Sequence, residues 1–196
     1  MRAARFAFLA LAGLATGAAL AGGGVVLRDD TCIITIGFYE AHFTAYQPAT
    51  RGDREFCEDL PDAAQTIFVL DYLHASLAQV PVDFRIIDNV TGKGEFARIE
   101  DVEALADIDA HTVFYQPPVV RPDGSFMIEH EFTRSGEYVG IVTAGHPTTD
   151  AVYTSVFPFA VGRTSLPWGW IGLALALAAF AGFVARLRHV GRGADS

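Results

Sequence analysis

Two apolar segments without a charged residue lie near the two ends of this 196-residue chain, and they restrict its fold more than any other feature. Residues 6–27 follow Arg2 and Arg5, and residues 166–185 precede three further arginines. About 20 apolar residues in a helix cross a hydrocarbon core of roughly 30 Å, and short Arg-rich flanks stay in the cytoplasm. The pattern therefore predicts that the residues between the two segments lie on the far side of a membrane.

The second apolar segment has the features of a transmembrane helix. A proline suits the first helical turn, tryptophans suit the outer interface of the bilayer, and arginines suit the inner one. We predict a helix over residues 166–185 and a short basic cytoplasmic tail over residues 186–196. The residues expected to anchor this helix are Pro167, Trp168, Trp170, Arg186 and Arg188.

The first apolar segment allows two interpretations. It begins with arginines and ends in Ala19-Leu20-Ala21 before three glycines, which is the pattern of a signal-peptidase site. Residues 1–27 are therefore predicted to be a cleaved signal peptide or, alternatively, an uncleaved membrane segment. In both cases a domain of residues 28–163 lies in the periplasm. Cleavage would leave a single-pass protein of the inner membrane with a cytoplasmic C-terminus.

The exported part of the chain is strongly acidic. Residues 29–165 contain 22 Asp and Glu against 8 Lys and Arg, a net charge near −14. Such a surface is repelled by nucleic acid and by anionic lipid head groups. The sequence thus predicts no nucleic-acid partner. Solubility explains the charge, and a cationic or metal-bearing partner is the alternative.

Cys32 and Cys57 are the only cysteines, and both belong to the exported part. An even pair outside the cytoplasm predicts a structural disulfide. The rival interpretation is a thiolate copper site, which needs reduced cysteines and neighbouring His or Met ligands.

The exported part is rich in β-branched and aromatic residues and in Pro and Gly turns, and it predicts an all-β fold. Seven strands at this spacing favour an immunoglobulin-like β-sandwich, with a lipocalin-like barrel as the structural rival. Tyr138 opens the penultimate predicted strand and is a candidate tyrosine corner. An acidic stretch over residues 95–110 has the spacing of one or two helical turns. The predicted strands cover residues 33–47, 65–72, 80–87, 112–116, 126–132, 138–143 and 151–161.

The sequence contains no catalytic motif: there is no G-x-S-x-G, no H-E-x-x-H and no phosphate-binding glycine loop. The chain is therefore predicted not to be an enzyme. Alternation places His130 with Phe126 and Ile128, so a half-buried histidine is favoured over a ligand. Met127 takes the opposite face of the same strand.

Ala144-Gly145-His146-Pro147, followed by the apolar stretch 156–161, resembles the C-terminal part of CopC-like and YtkA-like exported copper-handling domains. Those domains are small immunoglobulin-like sandwiches, often followed by membrane helices. The resemblance implies that His146 is a copper ligand. It would need partners, and His130, His42 and Met127 are the candidates, with His74 as a further one.

Two functions follow as hypotheses. The first is a non-catalytic accessory module that is anchored in lipid by its C-terminal helix, contacts a membrane or envelope protein, and needs no cofactor. The alternative is a copper-binding or copper-delivery protein of the bacterial envelope. Copper would require at least three of the candidate ligands to converge.

Overall fold

The computed structural model describes residues 24–162 and Leu177, and ten strands within this part form two antiparallel sheets. The first sheet has the order β1-β2-β3-β5-β8, with β4 also paired to β3, and the second has the order β10-β9-β6-β7. The strands are β1 (Val25–Arg28), β2 (Thr31–Ile36), β3 (Tyr39–Tyr46), β4 (Glu55–Phe56), β5 (Gln65–Tyr72), β6 (Val82–Asp88), β7 (Thr112–Val119), β8 (Ser125–Glu131), β9 (Gly136–Gly145) and β10 (Val152–Val161).

Two separate sheets confirm an all-β sandwich and not a closed barrel in the described residues. The side chains between the sheets form the main core, in which Phe43, Phe68 and Phe84 are almost completely buried. The Tyr138 hydroxyl donates a hydrogen bond of 3.0 Å to the carbonyl oxygen of Arg134. This bond to the backbone four residues upstream is the one expected of a tyrosine corner.

The segment from Ile33 to Gln47 is a hairpin, whereas a single strand was expected there. Strands β2 and β3 pair antiparallel, with Ile36 opposite Tyr39, so the turn has only two residues. Gly37 takes the first of these positions with φ of +62°, a conformation that glycine adopts without the steric cost of a Cβ atom. The chain reverses at Gly37, and the predicted count of seven strands was too low partly for this reason.

Strand β7 continues through Pro117 and Pro118, although the prediction ended it at Gln116. In the described residues β7 pairs only with β6, and the register shifts between Val82 and Phe84, opposite the two prolines. An edge strand with a bulge tolerates proline because the missing N–H does not break a ladder bond.

A second, smaller core lies on the outer face of the second sheet. The acidic stretch between β6 and β7 contains a short helix, α2 (Ile99–Glu103), flanked by 3₁₀ turns, as its spacing predicts. Val102 and Ala97 from this stretch pack against Val139, Ile141 and Val156 of the sheet. Burial of these apolar side chains therefore holds the acidic stretch against the second sheet.

The predicted disulfide is present. Cys32 of β2 and Cys57 are bonded, with their Cα atoms 5.6 Å apart. The same loop then reaches the second sheet, where the Leu60 N–H donates to the Ala160 carbonyl at 2.7 Å and the Gly162 N–H donates to the Leu60 carbonyl at 2.8 Å. The loop between β3 and β5, which also contains α1 (Pro48–Arg51), therefore connects β2 to the end of β10.

The sandwich begins with β1 at Val25 and so includes the last three residues of the predicted N-terminal segment 1–27. Residues 1–23 of that segment lie outside the described residues, as do the predicted span 166–185 apart from Leu177 and the tail 186–196. So do the predicted anchor residues Pro167, Trp168, Trp170, Arg186 and Arg188. Within the described part, no helix is long and apolar enough to cross a membrane.

Candidate functional site

Four connections lie at one end of the sandwich, the end at which β10 begins, and we call this end the tip. They are the Gly37–Phe38 turn and the loops of residues 73–81, 120–124 and 146–151. The strand registers place them together, because Ile36 pairs with Tyr39, Tyr72 with Ala41, and Val152 with Gly145. The Gly145 N–H also donates to the Pro81 carbonyl at 3.1 Å, which joins the loop of residues 73–81 to the end of β9.

Phe38 is the centre of an aromatic cluster at the tip. Its ring centroid lies 4.1 Å from that of Tyr39 and 5.2 Å from that of Tyr153. Two histidines, His74 and His146, contact the same ring, each with a centroid distance of 5.7 Å. The structure therefore brings together two imidazoles from loops that are far apart in the sequence.

The turn and its neighbours hold this cluster in place. A Cβ atom on Gly37 would lie 2.4 Å from the Tyr153 ring, so only glycine fits there. The Tyr39 hydroxyl donates to the Gly145 carbonyl at 2.9 Å, and burial raises the pKa of Tyr39. The His146 N–H donates to the Ala151 carbonyl at 2.8 Å and closes its loop. The backbone at the tip is thus fixed by hydrogen bonds between connections.

Large apolar side chains are exposed at the tip. Phe38 is 45% exposed, Leu73 57% and Val152 62%. Exposed apolar side chains that cluster, unlike scattered ones, mark contact surfaces. The tip therefore combines an apolar patch with two imidazoles.

The hydrogen bonds of the two histidines determine what their rings can do. The Thr148 N–H donates to His146 Nδ1 at 3.2 Å, so Nδ1 is an acceptor and the proton of the neutral ring is on Nε2. A histidine that binds a metal through Nε2 instead donates from Nδ1. His146 could thus bind a metal only after this bond to Thr148 is released. His74 Nδ1 lies 2.7 Å from the Ser76 hydroxyl oxygen.

The other predicted ligands lie elsewhere. His42 and Met127 are on the outer face of the first sheet, where His42 is in register with Asp71 and Met127 with Val69. Two strand spacings and a shift of two residues separate their backbones by about 12 Å. Neither residue contacts the tip cluster.

His130 faces inward and packs among aromatic rings. Its centroid lies 4.6 Å from that of Phe132 and 5.4 Å from that of Phe114. Burial lowers the pKa of His130, because the charged imidazolium is desolvated there. The half-buried position agrees with the alternation of its strand.

The four residues His146, His130, His42 and Met127 are therefore not brought together within one chain. The described residues contain no group of three or more His, Cys, Asp or Glu side chains that could hold a metal ion. The structure instead places His74 and His146 next to one ring, that of Phe38. This pairing depends on strand order, so no local sequence signal could have revealed it.

Next to the tip, two buried polar atoms have no hydrogen-bond partner among the described residues. They are the Tyr72 hydroxyl and the Arg121 Nε. Burial raises the pKa of Tyr72 to about 12. The Arg121 guanidinium lies over the Phe126 ring, 5.8 Å from its centroid.

The fold and the tip define this class of domain: an all-β sandwich that presents two imidazoles and several exposed apolar side chains at one end. No protein-family model matches the chain, and no curated protein matches it. Among solved structures it is similar to the crystal structure of the PmoD soluble domain from Methylocystis sp. ATCC 49242 (Rockwell), with 27% identity and a TM-score of 0.56. The match covers 67% of this chain and 98% of that chain.

Proposed function

We propose that this chain is a membrane-anchored accessory module, in which an immunoglobulin-like sandwich presents its tip to a protein partner of the cell envelope and catalyses no reaction itself. The observation that carries the proposal is that Phe38 and Leu73, on two neighbouring connections of the tip, are both exposed. The similarity to a chain described as a soluble domain, covered over 98% of its length, supports the view that the sandwich is a module of its own.

The position of the tip fits such a role. Strand β10 begins at the tip with Val152 and ends at Val161; its ten residues correspond to about 30 Å. The predicted helix of residues 166–185 follows after a short connection. A sandwich anchored there in the inner membrane, with its C-terminus in the cytoplasm, would hold the tip in the periplasm and away from the bilayer.

Immunoglobulin-like topology is supported by two features. The second sheet has the order β10-β9-β6-β7, and β3, β5 and β8 are neighbours in the first sheet. Tyr138 forms the corner hydrogen bond at the start of the penultimate strand. Both features are typical of sandwiches with Greek-key connections.

The accessory role is tested by changing the tip. The double substitution Phe38→Ser and Leu73→Ser should remove the partner from the full-length protein when it is purified from mildly solubilised membranes. Met127→Ser, which changes an exposed apolar side chain on a sheet face, is the matched control and should retain the partner. Retention of the same partner by the tip variant would refute the proposal.

The topology requires its own test. A reporter enzyme that is active only outside the cytoplasm should be active when fused after Gly162 and inactive when fused after Ser196. Activity at both positions would contradict a membrane span between them. N-terminal sequencing of the purified protein would decide between a cleaved signal peptide and an uncleaved segment.

A second proposal, copper handling, is favoured by one observation: His74 and His146 contact the same Phe38 ring. Imidazole nitrogen is a good copper ligand, and the resemblance around His146 points to the same residue. Two imidazoles alone do not complete a site, and His146 Nδ1 is occupied by the Thr148 N–H. Copper binding would thus require the 146–151 loop to rearrange or a further ligand to arrive.

Metal analysis of the purified full-length protein tests copper handling. Stoichiometric copper that is lost in both His146→Ala and His74→Ala, and kept in His42→Ala, would support it. Copper that is absent, or retained in both tip variants, would rule out this site. The partner-binding variant changes Phe38, whose ring both histidines contact, so copper is measured only in the single histidine variants; the two proposals then have separate variants and separate readouts and can fail separately.

A further inference from the structure

A cavity with a volume of about 340 Å³ lies on the outer face of the second sheet, between that sheet and the short helix α2. Clefts that bind small molecules have volumes of about 300–1,000 Å³, so this cavity has room for a small ligand. Residues of β6, β9 and β10 form its floor, and residues of α2 and of the turn after it form its wall. None of the residues of the Phe38 cluster belongs to its described lining, so the cavity is a site distinct from the tip.

The floor of the cavity has a polar row of side chains next to a more apolar one. Asp83 of β6 is opposite Thr143 of β9, which is in turn opposite Thr154 of β10. Two residues further along β6, Arg85 is opposite Ile141. Because alternate residues of a strand lie on the same face of the sheet, the two rows are neighbours. The floor therefore offers carboxylate and hydroxyl oxygens beside an apolar side chain.

The wall of the cavity is apolar and only partly covered. Ile99, Leu105 and Ile108 pack against the second, smaller core but remain partly exposed to solvent, and all three line the cavity. The apolar part of a ligand would remove these side chains from water, which is favourable in proportion to the area covered. The wall therefore suits a ligand that carries a hydrocarbon group.

Asp83 supplies a half-buried carboxylate to the cavity. Burial raises the pKa of Asp83 above its ordinary value, and a hydrogen bond with Thr143 and the charge of Arg85 offset this only in part. None of the ion pairs in the described part of the chain includes Asp83. A carboxylate that is desolvated without an ion-pair partner would be stabilised by a cationic group of a ligand.

Arg85 is the single basic residue of the described lining, and its charge is used by other groups. Its Nη1 donates to the Asp109 carboxylate and, at 2.8 Å, to the Thr112 hydroxyl. Its guanidinium lies over the Tyr115 ring, 4.3 Å from the centroid. Glu103, an exposed residue of α2, adds a second carboxylate to the lining. The cavity is therefore negatively charged and favours a cationic ligand.

We propose that this cavity binds a small organic ammonium compound, with its ammonium group at Asp83 and its apolar part against Ile141 and Leu105. A primary ammonium group has three N–H donors, which suit the Asp83 carboxylate and the Thr143 hydroxyl. A metal ion would need several oxygen ligands, and the described residues contain no group of three His, Cys, Asp or Glu side chains that could hold one. An anion would be repelled by Asp83 and Glu103.

The test uses the full-length protein in a non-ionic detergent and para-fluorophenethylammonium chloride, whose binding is followed by fluorine NMR against a blank of detergent alone. Binding should saturate at millimolar concentration. Asp83→Asn keeps the shape of the side chain but removes its charge, and it should weaken binding by about tenfold, as expected when a hydrogen bond between charged groups is lost. The matched control Asp71→Asn removes a carboxylate on the outer face of the other sheet, which is also hydrogen-bonded to a hydroxyl, that of Ser125 at 2.7 Å. It should leave the Kd unchanged.

Two further measurements separate the charge of the cavity from its shape. The neutral compound para-fluorophenethyl alcohol should bind the wild type about tenfold more weakly than the ammonium compound, and it should bind Asp83→Asn and the wild type equally. Thr154→Leu should fill part of the cavity and abolish saturable binding of the ammonium compound, and circular dichroism establishes that all variants fold. Absence of saturable binding to the wild type, equal affinities of the two compounds, or equal effects of Asp83→Asn and Asp71→Asn would each overturn the proposal.

Discussion

Replacing tyrosine by phenylalanine removes the same hydroxyl at any site, yet the structure predicts opposite results at two buried tyrosines. Tyr138 donates to the Arg134 carbonyl at 3.0 Å. Tyr72 carries a hydroxyl that is buried and has no hydrogen-bond partner in the described part of the chain. Tyr138→Phe should therefore destabilise the domain, whereas Tyr72→Phe should leave its stability unchanged or raise it.

The magnitudes follow from the two environments. A typical intramolecular hydrogen bond contributes about 1 kcal/mol net, and Tyr138→Phe loses one such bond while keeping the ring contacts. Tyr72→Phe instead removes a hydroxyl that was desolvated without compensation, which is neutral or stabilising by up to about 1 kcal/mol. The free energies of unfolding of the two variants should thus differ by about 1–2 kcal/mol, or roughly 4–8 °C in Tm for a domain of this size.

Urea unfolding of the purified protein, followed by far-UV circular dichroism with the disulfide intact, measures this difference. An alkaline series adds a second readout, because burial raises the pKa of Tyr72 from 10.0 to about 12. The unfolded chain releases this proton first, so the wild type is destabilised as the pH rises from 10 toward about 12, and the Tyr72→Phe variant should lose less stability over this range. A Tyr72→Phe variant that is destabilised as much as Tyr138→Phe would refute the reasoning.

Three further changes have defined outcomes. Replacing both Cys32 and Cys57 by serine should lower the free energy of unfolding by about 3.5 kcal/mol, which is the chain-entropy value for the 25-residue separation. Equal urea midpoints of the wild-type protein with and without reductant would contradict this. Burial lowers the pKa of His130, so the unfolded chain takes up the proton first as the pH falls below 6.5 and the domain loses stability. In His130→Gln the free energy of unfolding should therefore fall less below pH 6.5 than in the wild type. An unchanged pH profile would argue against the burial of His130. Gly140→Ala would place a Cβ atom 2.1 Å from the Phe157 ring and should cost about 1–3 kcal/mol in thermal unfolding, and a Tm equal to wild type would show that the ring moves freely.

Strands with clear alternation were predictable, because a pleated strand between a core and solvent repeats every two residues. Strand β5 has the predicted bounds, Gln65–Tyr72, with Thr66, Phe68 and Leu70 buried. The disulfide was equally predictable, since it followed from two cysteines and an exported position. These predictions needed only local pattern or composition.

The hairpin at Gly37 was missed although the sequence contains a signal for it. Ile34 and Ile36 are buried at even positions, whereas Tyr39, Ala41 and Phe43 are buried at odd positions. A change of parity cannot occur within one regular strand, because one face would then lose its apolar residues. The break in alternation at Gly37 and Phe38 marks the reversal more reliably than the glycine alone.

The tip cluster could not be predicted in the same way. His74 and His146 contact one ring only because the loops before β6 and before β10 fall at the same end of two sheets. Which loops share an end is decided by strand order, and strand order is not visible in alternation. For the same reason His42 and Met127, which have suitable chemistry, lie on a face that does not reach the tip.

The hydrogen bonds that tie Leu60 to the end of β10 have a mechanical consequence. Tension applied beyond Gly162 would act along β10, which pairs with β9 over all ten of its residues, so the ladder bonds would be loaded together in shear and not opened one at a time. The bonds of Leu60 with Ala160 and Gly162 share this force, and the bond between Cys57 and Cys32 passes part of it to β2 in the other sheet. Both sheets would thus resist a pull on the C-terminal end, and reduction of the disulfide should lower the unfolding force measured in that direction.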